Sequence, residues 1–177
     1  MMKKIIINNP KQSRSSLDSL IEALANKDAF VRQKARKSLV ALGKPAVSSL
    51  IRTLQSAKVD HVRWEAAKTL GAIGDPRAIP SLVRALEDTD PDVTWLAAEA
   101  LITFKKVAWP SLLRALVKDD TDSVLLRQGA HHVLRNQKEN GFNELLKVLI
   151  KALESNTASE SIPFAVSNIL KRMKVKS

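Results

Sequence analysis

The chain has 177 residues, 45% of them hydrophobic and only 4% aromatic, with 5 Gly and 7 Pro. This composition excludes collagen-like, low-complexity and disordered chains, and the lack of cysteine excludes a disulfide scaffold, a Cys-based zinc site and a thiol nucleophile. The net charge of +11 is uneven: residues 1–58 hold 12 basic and 3 acidic side chains, residues 59–140 hold 11 and 12, so one end is expected to be electropositive.

In chain order, MMKKIIINN comes first. Three isoleucines are too few for the apolar core of a signal peptide, which needs roughly 7–15 residues. Residues 1–14 carry no acid and read as an N-terminal arm. No apolar run approaches the ~18 residues needed to span a membrane. With zero cysteines, a reducing compartment fits and a cytoplasmic protein is expected.

From residue 15 the chain repeats itself. LDSLIEAL at 17–24 returns as VSSLIRTL at 47–54, IPSLVRAL at 79–86, WPSLLRAL at 109–116 and, more weakly, FNELLKVL at 142–149. Apolar residues fall at i, i+3, i+4 and i+7, as in Val47, Leu50, Ile51 and Leu54, which makes one face of an amphipathic helix. Trp109 takes the inward place of Val47 and Ile79 and is expected in the core.

A second helix follows each first one: FVRQKARKSLVALG at 30–43, HVRWEAAKTLGAIG at 61–74 and DVTWLAAEALITF at 92–104. Leu126/Ala130/Leu134 and Ile162/Val166/Leu170 continue the spacing, with Pro163 placed in a first helical turn. Gly43-Lys44-Pro45 and Gly74-Asp75-Pro76 supply stop-and-start punctuation. Asn26-Lys27-Asp28, Asp88-Thr89-Asp90 and Asp119-Asp120-Thr121-Asp122 supply capping groups. A two-helix unit cannot bury its apolar faces alone, so units must stack. The prediction is one all-α domain over 15–177, an α-solenoid with units at about 15–43, 44–74, 75–106, 107–139 and 140–177.

Residues 61–101 closely resemble the short HEAT-like repeat of phycobilisome-lyase-type proteins. The likeness is specific over 28–118, recognisable from 16 to 136 and loose beyond 140. It implies a right-handed α-α superhelix of about five HEAT-like helical hairpins, first helices convex and second helices lining the concave face. It also implies a ladder between repeats, with Arg32, Arg63 and Arg127 opposite Asp28, Asp60, Asp88 or Asp90, and Asp120 or Asp122. Thr94 breaks the pattern in the third unit.

Second helices aligned on their central Ala give groove columns. One is Gln33, Trp64, Trp95, Gln128 and Phe164; the next is Lys34, Glu65, Leu96, Gly129 and Ala165. A third, one turn on, is Lys37, Lys68, Glu99, His132 and Asn168. Trp64 and Trp95 are the expected anchors, unless they pack at the groove floor, because Trp is enriched where binding energy concentrates. Arg52, Arg84, Arg114 and Lys147 form a basic stripe along the first helices, either simply solvated or tracking phosphate.

Little in the chain supports catalysis. Its motifs include no nucleophile elbow, phosphate-binding Gly loop or His-Glu-x-x-His zinc signature. His131 and His132 are adjacent on a helix, so their side chains diverge by roughly 100° and do not share a metal. Asp88/Asp90/Asp92 lack the Gly and bidentate Glu of a calcium loop and read as caps. No metal, cofactor or enzyme activity is expected. The leading expectation is a protein- or peptide-binding scaffold, monomeric or weakly dimeric, with no membrane partner. Nucleic-acid binding, suggested by the basic first third and the aromatics, is the alternative. HEAT-like alkylpurine DNA glycosylases bind DNA in such a groove, but no Trp/Asp constellation of theirs aligns here. A bilin lyase or phycobilisome-associated factor is the further alternative, by resemblance alone. Lys171, Arg172, Lys174 and Lys176 suggest a polar C-terminal cap, while a bare Ile5–Ile7 would allow an end-to-end dimer.

Overall fold

The computed structural model describes residues 10–118, 123–155 and 158–174. Ile5–Ile7, the loop acids Asp119, Asp120 and Asp122, and Lys176 lie outside the described residues. Ten α-helices occur among the described residues, as five consecutive hairpins. They are α1 (Pro10–Ala23) and α2 (Ala29–Leu42), α3 (Val47–Ser56) and α4 (Asp60–Ile73), α5 (Ile79–Arg84) and α6 (Pro91–Thr103). Then come α7 (Trp109–Leu116) and α8 (Val124–Leu134), and α9 (Asn143–Glu154) and α10 (Ala158–Lys174). The first helix starts at Pro10, so residues 10–14, expected in the arm, belong to α1. Pro163 falls in the second turn of α10 rather than the first, because that helix begins at Ala158.

Local chemistry sets the boundaries. Asp28 accepts the Phe30 N–H at 2.8 Å, and one Asp90 oxygen accepts from both Asp92 N and Val93 N at 3.0 Å, so each caps a second helix. Gly43 and Gly74 end α2 and α4 at φ of 66° and 69°, returning their N–H groups to Leu39 and Leu70. In the third unit Lys105 takes the positive φ, at 51°, where those units have glycine.

The core is one continuous file of Leu, Val, Ile and Ala from Leu24 to Ile169. Second helices stack α2 on α4 on α6 on α8, and first helices stack α1 on α3 on α5 on α7. Gly71 and Ala100 bring α4 and α6 closest: a Cβ built on Gly71 would lie 2.7 Å from that of Ala100. Trp109 is fully buried, as expected, its ring 5.6 Å from Phe142 in an edge-on contact.

The fifth hairpin departs from the regular stack. α9 packs on α8 and α10 packs on α7, so the last first-helix joins the second-helix row. The expected stripe Arg52, Arg84, Arg114 and Lys147 is therefore broken at its end. The three arginines are exposed on α3, α5 and α7, but exposed Lys147 shares a cleft with Arg135 and Lys138 at the end of α8. Likewise Phe164, Ala165 and Asn168, on α10, do not continue the columns of α8. Amphipathic spacing specifies that a helix has an apolar face, not which neighbour covers it.

Candidate functional site on the second-helix row

Starting from α2, Gln33, Lys34 and Lys37 are exposed, and so is Lys68 on α4. No carboxylate among the described residues pairs with these three lysines. Glu65, expected in the groove column beside Lys34, is instead buried, with 2% exposure. Arg36 Nη1 donates to its Oε2 at 2.6 Å, while Arg32 Nε stands 3.5 Å from Oε1, an ion pair but not a hydrogen bond. A carboxylate one residue from the central Ala faces the preceding repeat, and the two arginines of α2 neutralise it there.

Of the expected ladder between repeats, the Arg63 rung runs to Asp88. Arg63 does not take Asp60 of its own loop. Its Nε and Nη2 donate to Asp88 of the next repeat at 2.8 and 2.7 Å, and its Nη1 donates back to the Ala57 carbonyl at 3.0 Å. Arg32 donates to the carbonyls of Asn26 and Lys27 at 2.9 Å and faces Glu65 as its acid. Thr94, the break in the pattern, donates its hydroxyl to Pro91 O at 2.8 Å. Burial opposes the charge on Asp88, but the Arg63 fork and the Asp90 N–H outweigh it and hold its carboxyl below the ordinary range. Bonds from the side chain and backbone of Arg77 hold Asp75 lower still, at about 2. Arg63–Asp88 and Arg32–Glu65 join adjacent repeats, whereas the Thr94 and Asp75 bonds to Pro91 and Arg77 are local.

The two tryptophans separate. Trp64 is half-buried and packs against the core, whereas Trp95 is 54% exposed. Trp95 stands over a cleft of about 240 Å³ between α6 and α8. Leu86, Ala98 and Gly129 line the cleft, with Pro91 and Leu125 beside them. Gly129 matters here: in the corresponding column other repeats carry Glu65 or Leu96, and a Cβ on Gly129 would already lie 3.0 Å from Leu86. Its polar lining is Thr94, Gln128 and His132. The His132 ring lies 4.3 Å from Trp95, tilted by 49°, and its Nε2 is 2.7 Å from Glu99 Oε1. Leu96 is half-buried against the core and Gln128 is exposed. The groove columns contain Trp95, Gln128 and His132 but not Leu125, which lines the cleft from α8 and is 46% exposed.

Among the described residues no group of three metal-ligating side chains gathers, and no helix is long and apolar enough to cross a membrane. The adjacent histidines point to opposite neighbours: His131 meets Glu154 of α9 at 2.8 Å, while His132 meets Glu99 of α6.

Comparison with known proteins agrees with this architecture. A family model of HEAT repeats matches residues 50–135. No curated protein sequence matches the chain. Among solved structures, one similar chain comes from the complex of CpcE and CpcF of phycocyanin lyase from Nostoc sp. PCC7120. It is 22% identical with a TM-score of 0.56, covering 86% of this chain and 98% of that one. That likeness is one of fold. Residues 50–135 carry HEAT repeats, and the chain as a whole is an all-α solenoid of HEAT-like helical hairpins.

Proposed function

We propose that this solenoid is a non-catalytic scaffold that binds a protein or peptide along its second-helix row. The observation that carries the reading is Trp95, an exposed aromatic over an apolar cleft with convergent polar groups at its edge. Stacked helices order such a surface before binding, so little conformational entropy is lost on association. Lys34, Lys37 and Lys68, without acidic partners among the described residues, supply charge selection on the neighbouring repeats.

Two features count against nucleic acid at this site. Asp92 and Glu99 sit three residues before and four after Trp95, on the same side of α6, and would repel phosphate. None of the residues lining the cleft is Lys or Arg. A second reading draws on the resemblance to a phycocyanin lyase complex: a bilin-handling subunit that works paired with another solenoid. At about 240 Å³ the Trp95 cleft is smaller than the ~300–1,000 Å³ of typical small-molecule sites, which favours a side chain over a tetrapyrrole there.

The test is capture from a native extract at physiological salt, with and without nuclease, using the wild-type chain and Trp95→Ala. A discrete protein retained by the wild type, nuclease-resistant and bound ten-fold or more weakly by the variant (about 1.4 kcal/mol or more), is the expected result. Retention lost to nuclease would install the nucleic-acid reading instead, and a chain that becomes coloured with a linear tetrapyrrole would install the bilin reading.

A further inference from the structure

The cleft also points to the chemistry of what fills it. Lys and Arg make up 29 of the 177 residues, yet none lines this cleft. The charges along α6 beside it are carboxylates. Asp92 is exposed, and its carboxylate meets no partner among the described residues; only its N–H is engaged, by Asp90. Glu99 is placed at the edge by its bond to His132, itself a lining residue, and its side chain remains 46% exposed. Asp92, Trp95 and Glu99 follow one another at i, i+3 and i+7, so an indole ring lies between two carboxylates along one helix face.

An indole face attracts a cation, and most strongly one that is planar and weakly hydrated. The apolar floor of Leu86, Ala98 and Gly129 suits the methylene stem of the same side chain. In a molecule of net charge +11 this is a local site for a positive group, complementary to a basic partner residue.

We propose that the Trp95 cleft receives an arginine side chain of a partner polypeptide, its guanidinium lying on the exposed face of Trp95 between Asp92 and Glu99. This rests on the reading of the chain as a protein-binding scaffold and gives that scaffold its specificity: an arginine beside an apolar residue at repeats three and four. Lys34, Lys37 and Lys68 of repeats one and two, unpaired among the described residues, then favour acidic residues elsewhere on the same segment, which fixes the direction in which it lies.

The experiment uses the full chain and three small probes, followed by NMR at the Trp95 indole N–H, assigned from its loss in Trp95→Phe. The probes are acetyl-leucyl-arginine amide, the citrulline analogue (the same shape without charge) and acetyl-leucyl-glutamate amide. The arginine probe is expected to shift the Trp95 and His132 signals saturably, the citrulline probe to bind about five-fold more weakly, and the glutamate probe to leave both signals unmoved. Asp92→Asn with Glu99→Gln should remove the arginine-over-citrulline preference while helicity stays unchanged; the glutamine keeps an acceptor for His132. Equal binding of arginine and citrulline, or no movement at Trp95 with either, overturns the proposal. If Trp95→Ala abolishes capture of a cellular protein while the arginine probe leaves Trp95 unmoved, the scaffold reading survives and the arginine assignment falls. If the probe binds as expected but capture is indifferent to Trp95, the arginine site stands and the scaffold reading loses its anchor.

Discussion

Glu65 and Gly129 show how one alignment column can carry unrelated roles, a buried carboxylate in one repeat and the floor of a cleft in another. A carboxylate in a groove column reads as a partner contact, but Glu65 lies inside the interface between repeats, paired with the arginines of α2. Removing the closer arginine leaves that charge with one distant partner. Arg36→Ala is therefore expected to destabilise the chain by about 2 kcal/mol, a value reduced for the partial exposure of the guanidinium; a urea unfolding midpoint unchanged from wild type would refute it. Asp75 and Asp88 set the acid response. Both carboxyls are held below their ordinary range in the folded chain. The folded state therefore binds fewer protons than the unfolded one, and these groups stabilise fully above about pH 4. That contribution is lost as pH falls through the folded value of Asp75, about 2. A thermal midpoint that drops from pH 5 toward pH 2, and drops less in an Asp75→Asn, Asp88→Asn double variant, is the expected outcome.

Between helices, the first two units end their second helices on a positive-φ glycine, and the third has a positive-φ lysine just after its own. Gly43 and Gly74 accept positive φ without a steric cost, whereas Lys105 adopts 51° with a Cβ. Lys105→Gly should raise stability by about 1 kcal/mol and leave the stacking unchanged. Guanidinium denaturation measures it, and a loss of stability would mean that the lysine side chain makes a contribution larger than its backbone strain. The same element scale explains Gly71: α4 and α6 approach so closely that a methyl there would collide with Ala100.

Across the whole molecule the repeats are held unequally. The junctions from α2 to α6 combine the Gly71–Ala100 approach with arginine–carboxylate pairs, while α8, packed through Gly129 on Leu86 and its buried Leu126, Ala130 and Leu134, borders the open Trp95 cleft and two histidine–glutamate bonds. In a stack whose stability is a sum of nearest-neighbour interfaces, local opening follows the weakest of them. Amide hydrogen exchange should accordingly be slowest in α4 and α6 and faster in α8. Equal protection along the row would show that the cleft costs no stability.

Much of the fold was legible in the residues themselves. Helix faces, glycine stops, aspartate caps, the burial of Trp109 and the stacking of hairpins all follow from period, propensity and the need to cover apolar surface, because each depends on residues close in sequence. The Trp95 site was legible in part, through an unusual aromatic on a predicted polar face. What the tertiary structure alone decided is which partner each face meets: Glu65 turned inward to Arg36, Arg63 reaching the next repeat's Asp88, Trp64 half-buried where Trp95 is open, and α9 and α10 exchanging rows. A side chain's fate at such places depends on the distance and angle between helices far apart in sequence, and these are set by the volumes packed at the crossing, such as Gly71 against Ala100 and Gly129 against Leu86, rather than by periodicity.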